Sequence, residues 1–134
     1  MYLLDTNIIS YWMRGNQRVI QKIRQFAPND LALSTITLAE ILYGIEKSTV
    51  KRQERTQKIQ YIASLLMLYP FDEYAASAYA FIRTDLEGKG TPISERDTQI
   101  ASVAKANNLI LVTHNMKEFS RIKKLHLVDW AEYI

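Results

Sequence analysis

Residues 109–115 read LILVTHN, an unbroken apolar run that stops at a small polar cluster. The run is too short for a helix and has no wet alternate face, so it reads as a strand buried on both sides. Asn107-Asn108 before it is a turn signal. YLLDTN at residues 2–7 has the same form, with the strand Tyr2 to Leu4 ending at an acid, Asp5. Leu31 to Ser34 and the brief LYPF at 68–71, where Pro70 disfavours helix at Tyr69, add two more extended pieces. A last short strand is expected around Leu125 to Val128.

Helical patterns lie between these strands. Ile8 to Met13 suit a helix interrupted at Gly15, and Val19, Ile20, Ile23 and Phe26 recur at helical spacing until Pro28. Thr35 to Lys47, Arg52 to Met67 and Tyr74 to Glu87 read as helices, and Ser94 opens another that runs to Asn107. Short apolar strands alternating with helices predict an α/β fold, a central sheet covered on both faces. In such sheets functional groups gather beyond the carboxyl ends of the strands. Asp5 and the cluster Thr113-His114-Asn115 both lie just past such ends, so they are expected to converge.

Composition narrows the class. The chain has 134 residues, enough for one core, and no repeat or linker divides it, so residues 1–134 are expected to form one domain. It has no cysteine, which excludes disulfides and thiolate metal sites. No run approaches a membrane span, and Met1 leads directly into a strand-like run with no room for a signal peptide, so a cytoplasmic location is expected. A net charge of +3 and a pI near 9.1 lean towards a polyanionic partner.

Three acids stand out, each with a plain structural alternative. Asp5 could simply cap the helix that follows it. Glu40, within TLAEILYG, shares one helical side with Thr37, Gly44 and Lys47, which reads either as a narrow solvent stripe or as a face turned to a cleft. Asp97, three residues after Ser94, completes a pattern like a capping box. Among the other polar residues, His114 reads as a solvated loop histidine or as a contact to a phosphate or a metal, and His126 as structural or exposed. Lys47, Lys51, Arg52, Arg55 and Lys58 could follow an RNA backbone, although Glu46 and Glu54 interrupt them and suit a solvated helix face equally. Arg96, beside Asp97, is better placed to meet a phosphate. Tyr11 and Trp12 could be core or contact surface.

Taken in order, LLDTN, ITLAEILYG, PISERDTQIA and LVTHNMKEF resemble the motifs of the PIN-domain ribonucleases, and among them the VapC toxins of bacterial toxin–antitoxin pairs. The middle segment FDEYAASAYAFIRTDLEGKGTPI resembles the same family, so the likeness spans nearly the whole chain. It implies a three-layer α/β/α sandwich with a short, mostly parallel sheet. It also implies a metal-dependent endoribonuclease, usually dimeric, that cuts RNA such as tRNA and is inhibited by a VapB-type antitoxin in a higher assembly. The family's acids map onto Asp5, Glu40 and Asp97. Many relatives carry an Asp where this chain has Asn115, a departure compatible with a one-metal site.

Three acids and an amide oxygen, without sulfur, suit a hard ion such as Mg²⁺, with Mn²⁺ as a substitute. Asp5 and Asp97 are then expected as the principal ligands, Glu40 as a ligand or water-orienting group, and Asn115 as a partner to water or substrate. Thr6, Asn7 and Thr113 are expected to orient the carboxylates, and Arg96 and His114 to contact substrate. Two other functions are weighed against this one. A phosphatase of the haloacid dehalogenase type also starts with a strand and an Asp, but needs a second Asp where this chain has Asn7. A catalytically silent PIN-like RNA- or protein-binding module is the other, and retention of Asp5, Glu40 and Asp97 argues against it.

Overall fold

The sheet runs in the order β3-β2-β1-β4-β5, and every pairing among the described residues is parallel. The computed structural model describes residues 1–131, so the last three residues of the expected domain lie outside it. The strands are β1 (Tyr2–Leu4), β2 (Leu31–Ser34), β3 (Met67–Tyr69), β4 (Ile110–Val112) and β5 (Leu127–Val128). The helices are α1 (Thr6–Met13), α2 (Gln17–Ile23), α3 (Thr35–Glu46), α4 (Arg52–Leu65), α5 (Glu73–Gly88), α6 (Glu95–Ala106) and α7 (Met116–Phe119).

Alternation of side chains along β1 explains why the strands are apolar throughout. Leu3 faces one core with Ala32, Leu111 and the inner faces of α5 and α6. Leu4 faces another with Leu33, Val112, Ile8, Ile45, Ile59 and Ile62, drawn from α1, α3 and α4. Both leucines are wholly buried. Helices therefore cover both faces, the three layers expected from the pattern. The edge strands depart from it: Met67 and Leu68 of β3 are nearly half exposed, and Leu127 and Val128 of β5 are partly exposed.

Local chemistry starts the helices where the sequence suggests. Asp5, Asn16, Ser34, Asp72 and Ser94 each accept a hydrogen bond from the amide three residues on, the N-cap geometry. The exceptions are α4, which follows Lys51 in a left-handed conformation, and the short α7, neither with a side-chain cap.

Two expected helix ends are corrected, the parallel sheet is sharpened, and one element is new. The sheet is wholly rather than mostly parallel over the described residues. Helix α2 stops at Ile23, so Phe26 leaves the helix and packs between Tyr2 and Trp130, with ring centroids 4.7 and 5.0 Å away. Helix α4 stops at Leu65, and Met67 belongs to β3, where pairing with β2 outweighs helical propensity. The short helix α7 was not foreseen, because four residues are too few to show a period.

The chain runs outward through β1, β2 and β3, then crosses back to lay β4 on the other side of β1. That reversal makes the carboxyl ends of β1 and β4 the switch point of the sheet, where open α/β folds gather their functional groups.

Candidate active site

Register builds the site. Leu4 lies opposite Val112, so the next residues, Asp5 and Thr113, emerge side by side. The Asp5 amide extends the ladder by donating to the Val112 carbonyl at 3.0 Å. The Asp5 carboxylate accepts from the Ile8 amide at 3.0 Å, from the Asn7 amide and from the Thr113 hydroxyl. Asp5 thus caps α1, as its plain reading held, and is also the deepest acid of the site, only 3% exposed. Burial pushes its carboxyl up to about 6, against the pull of those hydrogen bonds, and the charge of Asp97 adds to the rise.

Asp97 enters from the first turn of α6. Its amide donates to Ser94 Oγ at 3.2 Å, so the capping motif is real, and its carboxyl faces the other acids. Burial is the main influence raising that carboxyl, the Ser94 hydroxyl opposes it, and Glu118 and Glu40 raise it further. No cationic side chain is among the groups acting on Asp5 or Asp97.

Glu40 does not lie on a solvent stripe. Thr37, on the same side of α3, is fully buried, and that side faces α1. The Thr6 hydroxyl lies 3.1 Å from that of Thr37 and donates to Glu40 Oε1 at 3.0 Å. Arg96 Nη1 stands 3.5 Å from Glu40 Oε2. Thr6 therefore orients Glu40, not Asp5. Asn7 serves Asp5 through its main chain while its side chain is exposed.

The β4 end holds the rest. The Asn115 amide donates to Thr113 Oγ1 at 2.9 Å, which ties this loop to the hydroxyl that supports Asp5. Asn115 precedes α7 without capping it through its side chain. His114 is not a free loop residue: its Nδ1 lies 3.0 Å from Asp129 Oδ2, and its ring meets Tyr11 edge-on. Tyr11 and Trp12 are partly buried against the core that Leu4 faces. Glu118 is the acid that sequence reading passed over. It lies three residues beyond Asn115, one turn into the unforeseen α7, and its charge acts on Asp97 ahead of Glu40's. The signal was present in THNMKEF as an acid one helical turn past the cluster.

Asp97 therefore links the acids electrostatically: its charge acts on Asp5, and those of Glu118 and Glu40 act on it. The expected three-carboxylate cluster is looser than a closed cage: among the described residues, no three Asp, Glu or His side chains converge tightly enough to enclose a metal. Thr6 and Arg96 hold Glu40 at the rim. Among the described residues, no helix is long and apolar enough to cross a membrane.

Comparison with known proteins agrees with this fold. The PIN domain family matches residues 2–125. The chain is 39% identical to ribonuclease VapC2 of Rickettsia felis over 97% of its own length and 98% of that protein's. It is 33% identical to the tRNA(fMet)-specific endonuclease VapC of Salmonella typhimurium, over 97% and 98% of the two chains. The crystal structure of VapBC2 from Rickettsia felis, bound to a DNA fragment from its promoter, contains a chain that superposes with a TM-score of 0.89 at 38% identity. That match covers 96% of this chain and 98% of the other.

Proposed function

The chain belongs to the PIN-domain family, among the VapC ribonucleases, and from that premise we propose that it is the toxin of a toxin–antitoxin pair, a divalent-metal-dependent endoribonuclease. Its substrate is RNA, with tRNA the class suggested by the Salmonella relative. Its inhibitor is a small VapB-type antitoxin, in line with the VapBC complexes among its structural relatives. It acts in the cytoplasm as a single domain and as a homodimer. Exposed Tyr74 and Phe81, seven residues apart on α5, offer apolar surface for pairing.

The observation that carries the proposal is the burial of Asp5 against the charge of Asp97 with no protein cation to balance them. Two acids in that condition fit a hard cation that keeps several of its own waters and needs only one or two carboxylates. Asp5 and Asp97 would hold it, flanked by Glu40, Glu118 and the Asn115 amide. Bound Mg²⁺ or Mn²⁺ would supply positive charge at the scissile phosphate and acidify a water.

The protein's own groups do the positioning. Thr113 and the Ile8 amide fix the Asp5 carboxylate, and Thr6 aims Glu40. Arg96 is exposed and only loosely paired, so its guanidinium can turn to a phosphate oxygen. His114, held through Nδ1 by Asp129, keeps Nε2 for substrate. The site's net negative charge suits an inhibitor that inserts an arginine.

The test is cleavage of a purified tRNA pool. Activity should require Mg²⁺ or Mn²⁺ and vanish in excess chelator. Asp97→Asn should keep the fold and lose at least about a hundredfold in rate, the scale of a metal's contribution of several kcal/mol. Full activity in chelator would refute the reading.

A further inference from the structure

Beside the acids, between α1, α3 and α4, runs a groove of about 690 Å³. Six cationic side chains line it, from Arg14, Lys47, Lys51, Arg55, Lys58 and Arg96, against only two acids, Glu40 and Glu54. Three of the six are engaged with groove-lining groups: Lys58 donates to the Met13 carbonyl and pairs with Glu54, Arg55 donates to the Val50 carbonyl, and Arg96 pairs loosely with Glu40. A smaller concavity lies on the other side of α3, and the two share Glu40, Tyr43 and Arg96. The junction of the two concavities is therefore also the rim of the acid site.

Tyr43 stands at that junction. It lies three residues past Glu40, less than one helical turn along α3. It is 57% exposed and contributes nothing to either core, whereas Ile45 in the same turn is buried. Lys47 Nζ sits over its ring at 5.2 Å. An exposed aromatic ring carrying a cation, set in a cationic groove that opens on a phosphodiester-cleaving site, has the chemistry of a single-strand nucleic-acid platform. Aromatic rings take bases by stacking, and flanking cations follow the phosphates.

We propose that the α1–α3–α4 groove carries single-stranded RNA to the acid site, and that Tyr43 stacks on a base next to the scissile phosphate. The proposal rests on the nuclease reading and specifies how its substrate is held. Stacking on a single tyrosine tolerates any base, so Tyr43 positions the strand, and selection among RNAs falls to other contacts.

The experiment measures binding and cleavage separately. A 5′-fluorescein single-stranded RNA octamer is titrated with the full-length protein in EDTA, by anisotropy, at several KCl concentrations. Tyr43→Ala should weaken binding roughly 5- to 100-fold, the range for loss of one stacked base, while Tyr43→Phe stays close to wild type. Lys47→Gln should lower the slope of log K against log salt by about 0.7, one phosphate contact on a single strand. In Mn²⁺, Tyr43→Ala should raise KM more than it lowers kcat. Unchanged binding by Tyr43→Ala would overturn the proposal. So would Tyr43→Phe failing as badly as Tyr43→Ala, a shift from dimer to monomer in Tyr43→Ala with RNA affinity intact, or an acidic peptide displacing the octamer from a groove that prefers it. Tyr43-dependent binding without any cleavage would sustain this inference and remove the nuclease reading.

Discussion

Two charged regions meet at Glu40 and Arg96, and they are charged in opposite ways. At the ends of β1 and β4, Asp5 is buried and Asp97 half-buried, both held by hydrogen bonds, and among the described residues no cation is among the groups acting on either. In the groove along α3 and α4, cations are mostly exposed, and several are paired with acids or carbonyls. Burial makes the first region expensive to ionise, so its charges have large, local effects that depend on pH and metal. Water and salt surround the second, so its charges act weakly one at a time and matter through their sum over distance. The contrast suits a site that must hold a cation tightly beside a surface that must let a polyanion arrive and leave.

The largest expected effect tests the buried side. Ionised Asp5 should destabilise the metal-free fold at neutral pH. Its carboxyl sits at about 6 in the folded protein and at 3.8 when unperturbed, so the fold favours the protonated form. This contribution to stability is fully present below pH 3.8 and is lost as pH rises through about 6. Asp5→Asn keeps the capping oxygen and removes the charge. In EDTA it should therefore be more stable than wild type at pH 7.5, by about 2–3 kcal/mol, with the gap closing towards pH 4. Denaturant unfolding at both pH values measures it, and a pH-independent difference would show that Asp5 is no more strained ionised than neutral.

A smaller effect probes the edge of the acid site. Asn115→Asp adds a carboxylate beside Thr113 and should tighten Mn²⁺ binding by about 1–2 kcal/mol, read by calorimetry. Equal or weaker binding would mean that position 115 does not face the ion. The least effect belongs to the exposed surface. Arg52 and Glu46 form an exposed pair where α3 ends and α4 begins, and Arg52→Ala should change stability by less than about 0.5 kcal/mol. A loss of 2 kcal/mol or more would erase the contrast between the two regions.

Legibility in the sequence follows the same division. Leu3, Leu4, Leu111 and Val112 are buried on both faces, so their apolar runs mark the strands directly, and Asp5 and Thr113 follow from where those runs stop. Ser94 and Asp97 carry a local hydrogen-bond motif that survives into the structure. Glu40 was ambiguous because its role depends on Thr6, thirty-four residues away, and helical periodicity cannot see across that distance. Glu118 escaped because a four-residue helix has no period, and Phe26 because its partners, Tyr2 and Trp130, come from opposite ends of the chain. The groove was only half visible: the lysines and arginines could be counted, but their alignment with Tyr43 depends on how α4 lies against α3.

The strand order also sets a timetable for synthesis. β1 is made first and gains β2 on one edge within thirty residues, yet its other edge stays open until β4 emerges, about eighty residues after β2. At 5–20 residues per second that interval is roughly 4–16 s. Through it, Asp5 has neither the Val112 carbonyl beside its amide nor the Thr113 hydroxyl on its carboxylate, and Glu118 does not yet exist. A nascent chain thus lacks the assembled acid cluster. The acids close into a site only once β4 and α7 have been made, well after β1 and β2 have paired.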